Sequence, residues 1–417
     1  MFIAICLFTI PKSLEPLNSF LPTIPIAGVS LAEKSVQTAI YLGCDKLFFF
    51  GINLNNLGFD IKKYESSILI NILNELSEID SITFDQIVLF TGETVFSEEI
   101  LKEIKTTITS QKEELIIFTN KKEVPLPNFH PIILKIKTNS KSLSFMNNSG
   151  IVTEVSDPYF SLLYSTKSIQ KFNLTEFGRF LITFYNKSTT FNLLKSINPV
   201  IKQFMGFFPF IIRFPWHFLD IQEKLMVNLQ ENIQGIVESG ASIRNNVVIE
   251  SGATILNGVY IKGPVYIASG ASIGPNCLLR ANTYIGPNVH IGQSVEIKNS
   301  IIMNGTQIGH LTYIGDSMIG PKNNYGAGSK TANLAFHDNP ISMRILNVKI
   351  STNRRKMGIV TGEKVKTGIN SSLMPGIKIF NNAIVGAHVL LQEDLDEHFI
   401  CYYDKTSSLT KKKHFYY

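Results

Sequence analysis

Apolar residues in the second half of the chain recur at a fixed step of six. From Val237 the step meets Ile243, Ile249, Ile255, Ile261, Ile267, Ile273, Leu279, Ile285, Ile291 and Ile297, eleven aliphatic residues in succession. Neither the helical period nor strand alternation generates that series. A six-residue period is the mark of a β-solenoid. Each hexapeptide supplies a short strand and a turn, three close a triangular coil of about 18 residues, and the aliphatic side chain points into the prism. Turns rich in glycine and asparagine recur between the hits, as at Gly240, Gly252, Gly270, Gly274-Pro-Asn and Gly286-Pro-Asn; both residue types accept tight corners. The step shortens to five at Ile302, runs through Ile308 and Ile314, shortens again at Ile319 and reaches Tyr325. A weaker series resumes near Val365, Ile377, Ala383 and Val389. Between the two, Leu334 to Lys356 is polar, aperiodic and basic at its end, which predicts an inserted loop of the kind that often binds ligands.

The first half reads differently. Segments Ile3–Ile10, Leu31–Leu42, Lys46–Phe50, Ile87–Phe90, Glu98–Thr107 and Glu114–Phe118 alternate strand-like and helix-like character, an α/β layout. The expected organisation is an α/β domain over 1–200, a linker and helix over 201–235, a left-handed parallel β-helix over 236–401 and a basic tail over 402–417. The apolar first ten residues lack the basic start and small-residue cleavage site of a secretory signal, and read as a buried strand. Phe204 to Leu219 is apolar but broken by Pro209, Arg213 and Pro215, too short for the roughly 20 residues of a membrane span.

Composition narrows the function. With 44% apolar and 17% charged residues the chain can bury a core. The net charge of +6 is scattered, with one dense basic run at Lys411–Lys413. No basic face with interleaved aromatics suggests nucleic acid; a small anionic substrate suits the balance better. Cys6, Cys44, Cys277 and Cys401 share no metal or disulfide spacing and read as reduced thiols of a cytoplasmic protein.

Residues 18 apart share a face of the prism, so Arg280 and Lys298 stack, and stacked cations call for an anion such as phosphate between them. The same stretch carries His310, Tyr313, Asp316, Asn324 and Asn333, with Gly326 and Gly328 where a ligand can approach the backbone. Glu296-Ile-Lys-Asn-Ser, Gly309-His-Leu-Thr-Tyr-Ile-Gly-Asp and Asn324-Tyr-Gly-Ala-Gly-Ser-Lys-Thr-Ala-Asn333 resemble the acetyltransferase half of the bifunctional N-acetylglucosamine-1-phosphate uridylyltransferase/glucosamine-1-phosphate acetyltransferases. Pro215-Trp-His-Phe-Leu, Arg354-Arg-Lys-Met-Gly and Lys366 to Gly376 resemble the archaeal-type sugar-1-phosphate nucleotidylyltransferase/acetyltransferases.

The resemblance implies roles. His310 corresponds to the general base that takes a proton from the sugar amine, a task that suits imidazole. Asn333 corresponds to the residue that positions the amine and the tetrahedral intermediate. Arg280, Lys298 and Tyr313 correspond to the grip on the sugar phosphate, and Asn324 to a sugar contact. Acetyl-CoA is implied as co-substrate along Ala327, Gly328, Gly368 and Ile369, in a site between subunits of a homotrimer. The other seven histidines read as structural, and Cys277 and Tyr325 as packing residues. Two departures stand out. Lys330 replaces an aliphatic residue and is expected to point outward, because a buried lysine is costly. Ile369 stands where better-known bacterial enzymes carry a serine near the coenzyme.

In the first half, the stretch from Ile24 and the run Val88 to Phe96 resemble parts of sugar nucleotidylyltransferases. The chemistry-bearing residues are mostly absent. No Gly-x-Gly-Thr-Arg run is present, and Met1 to Pro22 holds no glycine. Ile24 stands for the family's lysine, and Glu93 for its metal-binding aspartate, one methylene too long to hold Mg2+ in the same place. A degenerate domain is expected, with Mg2+ relevant only if that domain is active. Three readings follow: an acetyltransferase of UDP-N-acetylglucosamine synthesis, an enzyme that also transfers nucleotidyl groups, and a non-catalytic sugar-nucleotide-binding β-helix.

Overall fold

The computed structural model describes residues 2–8, 12–50, 52, 57, 59–73, 86–92, 94–110, 115–120, 131–137, 200–204, 210–336, 338–404 and 406–413. The chain forms two compact units. One comprises Met1–Pro11, Phe20–Ile24 and Ser30–Ile212; the other comprises Lys12–Ser19, Pro25–Val29 and Arg213–Tyr417.

In the first unit, strands β1 (Phe2–Leu7), β2 (Lys46–Phe50), β3 (Leu69–Leu73), β4 (Gln86–Thr91), β5 (Leu115–Asn120), β6 (Pro131–Lys137) and β7 (Val200–Phe204) form a seven-stranded sheet. Its order is β7-β5-β6-β4-β1-β2-β3, with β6 antiparallel to both neighbours and the other pairings parallel. Ile3, Ala4, Ile5 and Cys6 are fully buried, as expected of an unbroken apolar run in a central parallel strand. Helix α1 (Leu31–Leu42) starts at Ser30, whose Oγ accepts from Glu33 N, and stops at Gly43, which takes φ 87°. Helix α2 spans Glu98–Ser110. Both helices and the expected strands appear where the sequence pattern puts them, with ends shifted by a few residues.

The second unit is a parallel β-helix of three sheets with eight, ten and eight strands. The six-step residues form its inner columns: Ile249, Ile267 and Ile285 on face one; Ile255, Ile273 and Ile291 on face two; Ile261, Leu279 and Ile297 on face three. All nine are fully buried, each contributing about 1.5–3 kcal/mol of burial. A second inward position lies two residues before each hit, filled by Ala253, Val259, Val265, Ala271, Cys277, Val289 and Val295. The sequence reading passed over this column because its residues are small and mixed.

Both five-residue steps have a structural consequence. Beyond Ile291 the register shortens, so that Tyr284 faces Ile301, Ile291 faces Ile308 and Ile297 faces Ile314. Across these shortened coils the second inward column turns polar: Ser300, Thr306, Thr312, Ser317, Asn323 and Ser329 are all buried. Each satisfies backbone groups that a purely apolar column would strand. Ser300 Oγ donates to Lys298 O at 2.7 Å, Thr312 Oγ1 to His310 O at 2.8 Å, Ser317 Oγ to Gly315 O at 2.8 Å and Ser329 Oγ to Gly326 O at 2.7 Å.

The expected loop 334–356 is an ordered excursion. Strands Ser342–Ile345 and Val348–Ser351 pair as an antiparallel hairpin, and Ile341, Met343 and Ile345 are buried. The alternation of those three residues is a strand signal hidden by polar flanks. Coils on either side of the insertion pair directly, Met318 with Val360, Tyr325 with Thr367 and Thr331 with Leu373. Helix α3 (His217–Met226) buries Phe218, Leu219, Ile221 and Met226, and Gln222 Nε2 donates to Asn282 O at 2.8 Å. Within the expected basic tail, Leu409–Lys413 is a strand paired with Phe399–Tyr403, extending face two. All four cysteines are buried, and none is in a disulfide. No described helix is long and apolar enough to cross a membrane.

Candidate functional site

Face three gathers four of the expected residues. Arg280 directly follows the strand Leu278–Leu279, with its backbone N bonded to Ile297 O at 2.8 Å. Lys298 ends the next strand, and Tyr313 opens the one after it, with Glu296 facing Tyr313 and Lys298 facing Gly315. Asn333 follows the strand Lys330–Thr331 on the next coil. Asn333 Nδ2 donates to Tyr313 Oη at 3.1 Å and to Asp316 Oδ2 at 2.5 Å. Both amide hydrogens are thereby used, which leaves the carbonyl oxygen as the accepting end of the Asn333 amide. Burial, then the nearby Asp316 and Glu296 carboxylates, raise the Tyr313 pKa, so its phenol stays protonated and able to donate.

The two cations do not wait for an anion between them, as their stacking suggested. Arg280 Nη1 pairs with Glu296 Oε1 at 2.9 Å, and Lys298 Nζ with Asp316 Oδ2 at 3.3 Å. Each repulsion is answered by a carboxylate from the neighbouring position or corner. The Arg280 side chain keeps 44% exposure, so the guanidinium still presents donors outward.

His310 lies outside the aliphatic column, exposed at the end of the face-two strand Gln307–His310. Leu311, at φ 51°, turns the chain onto face three, two residues before Tyr313. Thr312 Oγ1 and Gly328 N both donate to His310 O, at 2.8 and 3.1 Å. The imidazole itself has no hydrogen-bond partner among the described residues.

Ala327, Gly328, Gly368 and Ile369 line the corner above His310. The ladder runs from Gly328 N to His310 O, from Asn370 N to Ala327 O at 2.8 Å and from His388 N to Ile369 O at 2.9 Å. Gly328 takes φ 76°, and a Cβ there would meet Asn370 Oδ1 at 2.2 Å. A Cβ on Gly368 would meet Ala387 N at 2.3 Å. Ile369 is 51% exposed beside this bare backbone. Lys330 points outward as expected, its Nζ donating to Leu311 O and, at 3.2 Å, to Gly328 O. Asn324 is exposed on face two, between Gln307 and Lys366, on the His310 side of the corner and apart from the face-three group. Glu93 lies outside the described residues.

Sequence reasoning named Asp316 without giving it a role, and missed Asn299 as its partner. Its side chain is 3% exposed and accepts from Lys298, Asn333 and, at 2.7 Å, Asn299 Nδ2. Asn299 Nδ2 also donates to Glu223 Oε1 on α3 at 2.8 Å. Arg354, at the end of the insertion, donates to both Glu223 and Asp220. These links cross 76 and 131 residues of sequence and leave no local signal.

A family model described as the GMPPB C-terminal domain matches residues 261–396. The bifunctional sugar-1-phosphate nucleotidylyltransferase/acetyltransferase of Sulfurisphaera tokodaii is 33% identical over 383 residues, covering 88% of this chain and 91% of that protein. A bifunctional protein GlmU of Methanococcus aeolicus is 30% identical over 407 residues, covering 91% and 92%. The GlmU of Methanococcus vannielii is 45% identical over 200 residues; there the chain spans about half of its relative's length, 48%.

Proposed function

Because this chain belongs to the family of bifunctional sugar-1-phosphate nucleotidylyltransferase/acetyltransferases, we propose that its β-helical half moves an acetyl group from acetyl-CoA to the amine of glucosamine-1-phosphate. The product would serve UDP-N-acetylglucosamine synthesis in the cytoplasm. The observation that carries the reading is the meeting of Arg280, Lys298, Tyr313 and Asn333 on one outer face, two residues along the chain from the corner that presents His310.

In this reading Arg280, Lys298 and the Tyr313 phenol hold the phosphate, and Asn324 touches the sugar. The Asn333 carbonyl oxygen accepts from the sugar amine and aims its lone pair at the thioester carbon. As the C–N bond forms, the His310 imidazole takes the amine proton; as the C–S bond breaks, it returns that proton to the departing thiolate. The bare backbone at Ala327, Gly328 and Gly368, beside Ile369, gives the coenzyme a close approach. A homotrimer would bring a neighbour's corner against each face-three group.

The test is thiol release from acetyl-CoA in the presence of glucosamine-1-phosphate. Wild-type protein is expected to turn over, and His310→Ala to lose about 10²–10⁴-fold in kcat. Equal rates in the two proteins would refute the assignment. Galactosamine-1-phosphate in the same assay fixes the sugar.

The name of the Sulfurisphaera tokodaii relative includes nucleotidyl transfer, and that similarity covers 88% of this chain. Against that activity here stands Ile24, fully buried where the family's Lys-Pro-Leu segment carries a lysine. We read the first half as without nucleotidyl transfer. Mg2+-dependent pyrophosphate release from UTP and the sugar phosphate, lost in Glu93→Ala, would reverse that reading.

A further inference from the structure

We propose that Asp316 is a positioning residue that fixes the orientation of the Asn333 amide, and that Arg354 sets its aim through Glu223 and Asn299. The inference rests on the acyltransferase reading above. A carboxylate only accepts, so whichever end of the Asn333 amide faces Asp316 must be the NH2 end. With Nδ2 at 2.5 Å from Asp316 Oδ2, the Asn333 carbonyl oxygen is left for the incoming amine. The same Oδ2 receives Lys298 Nζ at 3.3 Å, so one buried oxygen sets both an amine-facing and a phosphate-facing side chain.

Asp316 is itself held. Its backbone takes φ 50°, its N bonds Lys298 O at 2.9 Å and its O receives Gly358 N at 2.8 Å. Rotation of the carboxylate is restrained by the other oxygen, which accepts Asn299 Nδ2 at 2.7 Å. The Asn299 amide has two hydrogens, and its second goes to Glu223 Oε1 at 2.8 Å. Glu223 is anchored by Arg354, whose planar fork also reaches Asp220 on the same helix. A line of charged hydrogen bonds thus runs from the end of the insertion, through α3, to the amide that meets the substrate. Loss of Arg354 frees Glu223, then Asn299, and leaves Asp316 with two donors on one oxygen and none on the other.

A double-mutant cycle on the full-length protein tests this, using Asp316→Asn and Arg354→Met. Asp316→Asn, which permits the Asn333 amide to flip, is expected to lower kcat about 100-fold while leaving KM for acetyl-CoA within about twofold, because that corner takes no bond from Asp316. Arg354→Met is expected to lower kcat about tenfold alone and to add nothing in the Asp316→Asn background, a coupling within the range for linked residues. Arg354→Lys, which keeps the charge but loses the fork, is expected to recover part of the loss. Wild-type kcat in Asp316→Asn, or losses that multiply in the double variant, overturns the relay. If Asp316→Asn does not fold by circular dichroism, Glu223→Gln takes its place in the cycle with the same criteria. Calorimetric titration with glucosamine-1-phosphate separates the two levels of inference. Protein that binds the sugar phosphate but releases no thiol sinks the acyltransferase reading, and the cycle is then scored on Kd through Lys298. Protein that neither binds nor turns over sinks both.

Discussion

Gly315 offers a probe of the site that removes none of its functional groups. It sits on the face-three strand between Tyr313 and Asp316, and it is buried. Its φ lies outside the left-handed range, so alanine meets no backbone penalty there. Space is the difficulty. A Cβ at this position would stand 2.4 Å from Tyr313 Oη and 2.7 Å from Asn333 Nδ2. Ordinary contact requires about 3.5 Å, so the phenol must retreat by about 1 Å and the Tyr313–Asn333 hydrogen bond must stretch or break. A displacement of that size in a substrate-positioning group costs on the order of 10²-fold in rate, while one extra buried methyl costs roughly 1–3 kcal/mol of stability. Gly315→Ala is therefore expected to fold, to melt a few degrees lower, and to lose about 100-fold in kcat/KM for glucosamine-1-phosphate with little change in KM for acetyl-CoA. Steady-state kinetics beside a thermal melt decide it. A variant that keeps kcat/KM within twofold of wild type would show that Tyr313 and Asn333 are not part of the reacting geometry.

Three further outcomes are expected. Gly328→Ala, which demands φ 76° of an alanine and drives its Cβ to 2.2 Å from Asn370 Oδ1, should raise KM for acetyl-CoA several-fold and leave KM for the sugar phosphate unchanged; the reverse pattern would move the coenzyme off this corner. Ile297→Ala, in the fully buried face-three column, should cost about 2–5 kcal/mol in a urea melt, and a loss below about 1 kcal/mol would mean the prism closes over the cavity. Lys34 on α1 is held by burial at a pKa of about 8, opposed by Glu33. Between pH 8 and its unfolded value near 10.5 the unfolded chain carries a proton that the folded chain lacks, so folding gains stability as pH rises through that window, by up to about 3 kcal/mol. Lys34→Met should remove this rise and stabilise the protein at pH 7; parallel pH profiles for the two proteins would contradict it.

The prism was legible because its period is written in single residues: a side chain every six positions either enters the column or does not. The five-residue steps at Ile302 and Ile319 likewise announced the shortened coils, although not the hydroxyls of Ser300, Thr312 and Ser317 that make them tolerable. The face-three cluster was legible from spacing and resemblance together. Its wiring was not. Asp316 draws its meaning from Asn299, Glu223 and Arg354, and no local rule ties a helix before the solenoid to an insertion near its end. The insertion hairpin escaped notice because Ile341, Met343 and Ile345 alternate over too short a run.

The direct pairing of the coils that flank the insertion makes the hairpin an appendage, not a rung. Its length is uncoupled from the prism's register, and doubling such a connection costs only about 0.6 kcal/mol in closure. Residues 335–353 are thus the place where this scaffold can change length without re-registering a single coil, provided Arg354 is kept to clasp the helix.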